Sequence, residues 1–187
     1  MNRSLTTAGG AISVRRATAR DAKRLTRLVR GSRAYEGQYA AMVAGYRVGP
    51  DYIETHRVFV AVTADIADAT GEGSGGGEGG GSSEGGGQVL GFYSLVLAPP
   101  ELDLMFVADR AQGRGVGRLL VAHLKSEARA AGLDRVRVVS HPPAEGFYRS
   151  VGAVHVGTAS ANPPAVVWDR PELEFRISAD SAGSAGY

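Results

Sequence analysis

The sequence predicts a single α/β domain in which a mixed sheet is flanked by helices, and three observations carry that prediction. Short runs of apolar or alternating residues are interspersed with stretches whose apolar residues recur every three to four positions. One such run passes through a glycine loop straight into a helix, with no spacer. The 187 residues, 43% hydrophobic and 21% charged, suit one soluble domain with a sizeable core.

Residues 11–16 read as an alternating strand with Ile12 and Val14 on one face. Thr18 and Asp21 open a helix in which Ala22, Leu25, Leu28 and Val29 face inward. Gly31 and Ser32 stop it, and Tyr35, Tyr39, Met42, Val43 and Tyr46 form the stripe of a second helix. Residues 57–64 form a strand whose unbroken apolar run from Phe59 to Val62 suits a central position. Eleven glycines then fall between Gly71 and Gly87, with only Ser and Glu among them. Such a stretch cannot bury enough apolar surface to offset its ordering entropy, so 65–87 is expected to be a flexible loop inserted in a hairpin. Strands at 88–97 and 101–107 follow, separated by Pro99-Pro100. A helix carries Val116, Leu120, Leu124 and Ala128 on one side and stops at Ala131-Gly132. After a strand at 136–140, Pro142-Pro143 opens a short helix that Gly152 closes, and strands at 154–158 and 172–177 end the domain. The order is β-α-α-β-β-β-α-β-α-β-β over a domain of 11–178, between flexible ends at 1–10 and 179–187.

Composition excludes several classes. No cysteine is present, so no disulfide framework, thiolate metal site or thiol nucleophile can form. Lys plus Arg minus Asp plus Glu is 21 − 19 = +2, and no basic run reaches five residues, so nothing calls for nucleic acid. Residues 1–10 lack the apolar core of a signal peptide and no stretch reaches membrane-spanning length, so a cytoplasmic location is the default expectation. A homodimer stays open.

The loop Gln112-Gly113-Arg114-Gly115-Val116-Gly117 is the most informative stretch. N–H groups opening a helix have no intrahelical acceptor, and the helix dipole adds partial positive charge, so a diphosphate can be bound by the backbone itself. A triphosphatase loop needs Gly-Lys-Ser/Thr, but Arg118 and Leu119 follow Gly117. A dinucleotide fingerprint needs glycine at Arg118 and an acidic end to the next strand, where Ser140-His141 stands. The remaining Gln-x-x-Gly-x-Gly pattern resembles the pyrophosphate loop of the GCN5-related N-acetyltransferases (GNAT family), which bind acetyl-CoA. Ala144-x-x-Phe147-Tyr148-x-x-x-Gly152-Ala153 is similar to a second segment of that family, and the opening Ile12-x-Val14-Arg15-Arg16-Ala17-Thr18 resembles its first strand and helix. Two positions depart from the pattern: His141 stands where an asparagine is common, and Ala153 replaces a phenylalanine.

The resemblance implies a mostly antiparallel sheet and acetyl-CoA as cosubstrate, with no metal. It places the diphosphate on Gln112 to Arg118, with Arg114 and Arg118 adding charge unless they are merely solvated. Phe147 is expected to line the coenzyme site, and backbone N–H groups around Phe106 and Val107 are expected to polarise the thioester carbonyl where their strand splays from its neighbour. Tyr148 is the expected acid for the leaving thiolate. An attacking amine must first lose a proton, and Glu101 is the favoured base, with Asp103 and His141 as further candidates. Tyr35, Glu36 and Tyr39 are candidates to hold a cationic amine by ring-face and carboxylate attraction. The expected function is acetyl transfer to a primary amine by direct attack, with a small-molecule acceptor. A peptide N-terminus as acceptor and a non-catalytic acyl-CoA sensor are the alternatives.

Overall fold

The computed structural model describes residues 4–7, 10–63, 87–164 and 166–177. Its strands are β1 (Ser4–Thr7), β2 (Gly10–Arg16), β3 (Arg57–Thr63), β4 (Val89–Leu97), β5 (Pro100–Val107), β6 (Arg135–Val139), β7 (Val154–Ala159) and β8 (Arg170–Arg176). They form one sheet in the order β1-β2-β3-β4-β5-β6-β8-β7. All neighbours are antiparallel except β5 and β6, which agrees with the expected mixed, mostly antiparallel sheet.

Helices cover both faces because the strands are apolar on both. On one face α1 (Ala22–Arg30), α2 (Ala40–Ala44) and α3 (Pro50–Thr55) bury Leu25, Val29, Val43 and Ile53 against Val58, Val60, Phe92 and Phe106. On the other, α4 (Val116–Ala130) and α5 (Glu145–Ser150) bury Leu120, Leu124 and Tyr148 against Leu90, Leu95, Val138 and Phe175. Asp21, only 2% exposed, pins β2 to α1. Its carboxylate accepts from both Arg15 Nη atoms at 2.8 and 2.9 Å and from the Thr18 N–H at 2.9 Å.

Three local features differ from the sequence expectation. Residues 4–7, expected to be flexible, pair with β2 as an edge strand, since a ladder can recruit polar residues that carry no apolar pattern. The tyrosine stripe is no continuous helix: Gly37, at φ 67°, separates the 3-10 turn Arg33–Tyr35 from the turn Gly37–Tyr39 that leads into the five residues of α2. Helix α3, opened by Pro50 at its first position, had no counterpart in the expected order. The glycine-rich insertion, apart from Gly87, and the tail 179–187 lie outside the described residues.

Two irregularities of β5 create the site. Ser94 pairs with Leu104 and Leu95 with Leu102, so Asp103 is an extra, bulged residue. On its other side β5 meets β6 in a single register pair, Glu101 with Arg137. Beyond that pair the two strands diverge while β5 stays laddered to β4 as far as Val107. A wedge therefore opens in the sheet at the end that carries the glycine loop.

Candidate functional site

The loop after β5 makes the 3-10 turn Asp109–Ala111 and then delivers the chain to α4 through Gly113 (φ 74°) and Gly115 (φ 81°). Gly115 is the N-cap of this 15-residue helix and lies in the left-handed region, where a β-carbon is disfavoured. Gln112 Nε2 donates to Asp109 Oδ1 at 3.1 Å, bracing the turn from within. At Gly117 a β-carbon would come within 3.0 Å of the Phe147 ring, so glycine is what lets α4 sit against that wall. The result is a cleft of about 420 Å³ lined by Gln112, Gly113, Gly115, Val116, Gly117, Arg118, Phe147 and Tyr148. Arg114 is exposed and does not line it.

A second cleft, of about 290 Å³, occupies the wedge on the α1 side. Tyr35, Met42, Tyr46, Glu101, Asp103, Phe106, His141 and Arg170 line it. Met105, Val107, Gln112, Ala144 and Tyr148 belong to both clefts. The two spaces therefore meet at Tyr148. The Ala108 N–H bonds Leu90 O at 2.8 Å on the β4 side. Amides alternate sides along a strand, so the Val107 N–H faces the open wedge while that of Phe106 faces β4. Of the two expected carbonyl-polarising amides, Val107 thus has the required direction; Phe106 contributes its ring, 5.4 Å from that of Tyr35.

Charge and burial separate the candidate side chains. Tyr148 is 8% exposed, and burial, reinforced by the neighbouring Tyr35 phenol, raises its pKa, so its hydroxyl keeps its proton. Among the described residues that hydroxyl has no hydrogen-bond partner. His141 is 6% exposed and burial lowers its pKa, which keeps the imidazole neutral at pH 7. Its ring stacks on Tyr35 at 4.4 Å and meets the edge of Tyr39 at 4.2 Å, and its enclosed Nε2 has no hydrogen-bond partner among the described residues. Glu101, in contrast, accepts from Arg137 Nη1 at 3.0 Å, and Arg137 also holds Glu172 at 2.5 Å. The bulged Asp103 accepts from the Tyr52 hydroxyl and faces Tyr46, whose pKa is pushed up to about 12 by burial and by that carboxylate. Glu36 is exposed, pairs with Arg33 at 3.7 Å and stays outside the cleft.

The structure therefore brings together Tyr148, His141, Glu101, Asp103 and Tyr35, sets Tyr39 behind His141, and leaves Glu36 and Arg114 outside. Sequence reasoning missed Tyr52, Arg137, Trp168 and Arg170. No motif marks them; they reach the site through pairing and packing distant in sequence.

Residues 82–161 match the family model of the acetyltransferase (GNAT) domain, a span that holds β4, β5, the glycine loop, α4 and Tyr148. That part of the chain is similar to a GNAT acetyltransferase domain. Solved structures share the fold of this chain. A GCN5-related N-acetyltransferase structure from Rhodopseudomonas palustris superposes with a TM-score of 0.68 at 16% identity, over 94% of this chain and 98% of that one. The protein yncA of Salmonella typhimurium, solved with its cofactor acetyl-CoA, gives 0.61 at 18% identity over 94% and 99%. A GNAT family acetyltransferase from Elizabethkingia anophelis with acetyl-CoA bound gives 0.56 at 14% over 89% and 98%. None of the curated proteins matches the sequence. Among the described residues no helix is long and apolar enough to cross a membrane.

Proposed function

We propose that this protein is an acetyltransferase that moves acetyl from acetyl-CoA to the primary amine of a small molecule by direct attack, with Tyr148 as acid and His141 as base. The observation that carries this reading is that the glycine-loop cleft and the wedge cleft meet at a buried, protonated tyrosine.

The residues fit the coenzyme. Open space lies in front of Gly113 and Gly115, where a β-carbon would meet nothing within 4 Å, and the unpaired N–H groups opening α4 face it with the positive end of the dipole. Arg118 lines the same cleft and adds charge for phosphates. Acetyl-CoA supplies a thioester whose carbonyl is open to attack once polarised. The Val107 N–H, directed into the wedge, is the donor placed to polarise it. Phe147 and Met105 line the glycine-loop cleft with apolar surface, and Tyr35 does the same in the wedge.

His141 takes the role expected of Glu101. A general base needs an available lone pair, and Glu101 is held by Arg137 whereas the neutral His141 ring, on the wall of the wedge cleft, has no Nε2 hydrogen bond among the described residues. His141 accepts the proton of the attacking amine, and the Tyr148 hydroxyl donates to the departing sulfur. Asp103, at the other end of the cleft with Tyr46 and Tyr52, supplies the negative charge that draws a cationic amine in. No cysteine exists to form an acyl-enzyme, which favours direct attack. The experiment is thiol release from acetyl-CoA with a panel of small primary amines, products identified by mass. Acceptor-dependent release with N-acetylated product supports the reading; coenzyme binding with no acceptor-dependent release points to a sensor instead.

A further inference from the structure

Three enclosed side-chain nitrogens lack hydrogen-bond partners among the described residues: His141 Nε2, Trp168 Nε1 and Arg170 Nε. They form one neighbourhood. The Tyr39 ring touches His141 at 4.2 Å and Trp168 at 4.6 Å, and His141 and Arg170 line the same wedge cleft. Trp168 Nε1 and Arg170 Nε can only donate. An enclosed donor without an acceptor is costly, and of the two only Arg170 lines the reaction cleft, where its guanidinium marks a place for a ligand oxygen.

The charge of that ligand follows from the surroundings of Arg170. Arg170 is half-buried and makes no ion pair among the described residues, although Asp169 and Glu172 flank it in sequence and Glu101 lines the same cleft. Asp169 accepts from the Ala161 N–H at 2.8 Å, Glu172 is held by Arg137 at 2.5 Å, and Glu101 by the same arginine at 3.0 Å. Each neighbouring anion already has a donor. A planar, single negative charge with two oxygens suits the guanidinium fork. A phosphate dianion does not, because Glu101 and Asp103 line the same cleft. The cleft is thus bipolar, with the Asp103 carboxylate at one place and Arg170 at another.

We propose that the acceptor is an amino acid, its amine directed to His141 and Tyr148 and its carboxylate held by the Arg170 guanidinium. This rests on the acetyl-transfer reading and narrows it to a substrate carrying both charges.

The test measures kcat/KM with acetyl-CoA for free amino acids, their carboxamides and the corresponding decarboxylated amines. Free acids are expected to exceed the other two by on the order of 10- to 100-fold, the range for a charge-assisted pair. Arg170→Gln brings the acid-to-amide ratio close to one and Arg170→Lys restores part of it. Because the ratio compares two substrates on one sample, any loss of folded protein cancels. Amides or simple amines used as well as acids by the wild type, or a ratio untouched by Arg170→Gln, would overturn the assignment while leaving acetyl transfer intact. Absence of acetylated product from every amine would overturn both.

Discussion

Replacing Tyr148 by phenylalanine separates chemistry from folding. The ring contributes its burial, packed 5.4 Å from Phe147 and 6.3 Å from Phe175, and phenylalanine keeps all of that surface. The hydroxyl contributes no hydrogen bond to any described residue, so its removal leaves no orphaned partner. Stability should therefore change by less than about 0.5 kcal/mol. For a domain of this size that is within about 2 °C of Tm. The chemical step, however, loses the proton donor proposed for it. Burial keeps the phenol protonated around neutral pH, and general-acid assistance is worth roughly 10²- to 10⁴-fold. The assay is paired: a thermal melt, and steady-state thiol release with acetyl-CoA affinity by calorimetry. The expected result is a fall in kcat of at least about 10²-fold with Tm and coenzyme affinity preserved. An unchanged kcat would remove Tyr148 from the reaction, and a large drop in Tm would show that its hydroxyl has a structural partner.

Other perturbations probe the remaining parts. The lowered pKa of His141 places the acid limb of kcat/KM below 6.5, and His141→Gln is expected to abolish that limb and cost about 10²-fold or more; a pH–rate profile from 5 to 8 checks it. The same shift has a sign for stability: the unfolded state binds the proton more readily, so the His141 contribution is complete above 6.5 and declines as pH falls below it, readable in denaturant midpoints. Gly115→Ala forces a β-carbon into φ 81° with no neighbour within 4 Å, so its cost is conformational, about 1–2 kcal/mol, and Gly115→Asn should cost less; weaker coenzyme binding by calorimetry should follow the same rank. For Asp21, burial would raise the carboxyl pKa, but the Arg15 guanidinium and the Thr18 N–H outweigh it and hold it low. Its stabilisation is therefore lost as pH falls below the ordinary carboxylate range, and Asp21→Ala should destabilise by about 3 kcal/mol in urea titrations, leaving Arg15 unpaired.

The sequence showed most of the fold and half of the site, and the division has a physical cause. Features written in contiguous residues were legible: the alternation leading into the glycine loop, the helical spacing of Val116, Leu120 and Leu124, and the Phe147-Tyr148 turn of helix. Features that depend on pairing were not. The Asp103 bulge exists only relative to Leu95 and Ser94, the engagement of Glu101 requires Arg137 on a strand 36 residues away, and Arg170 reaches the cleft because β8 lies beside β6. The tyrosine stripe kept helical spacing across Gly37, and the positive φ there, invisible in the pattern, divided it.

Glu101 with Arg137 is the single register pair by which the five strands on one side of the sheet meet the three on the other. Their separation at the mouth is set by side chains filling the gap rather than by peptide geometry. Trimming or enlarging those side chains would change the width available to an acyl tail without disconnecting a single strand. The same scaffold can in this way be retuned to thicker or thinner donors while its anion-gripping end stays as it is.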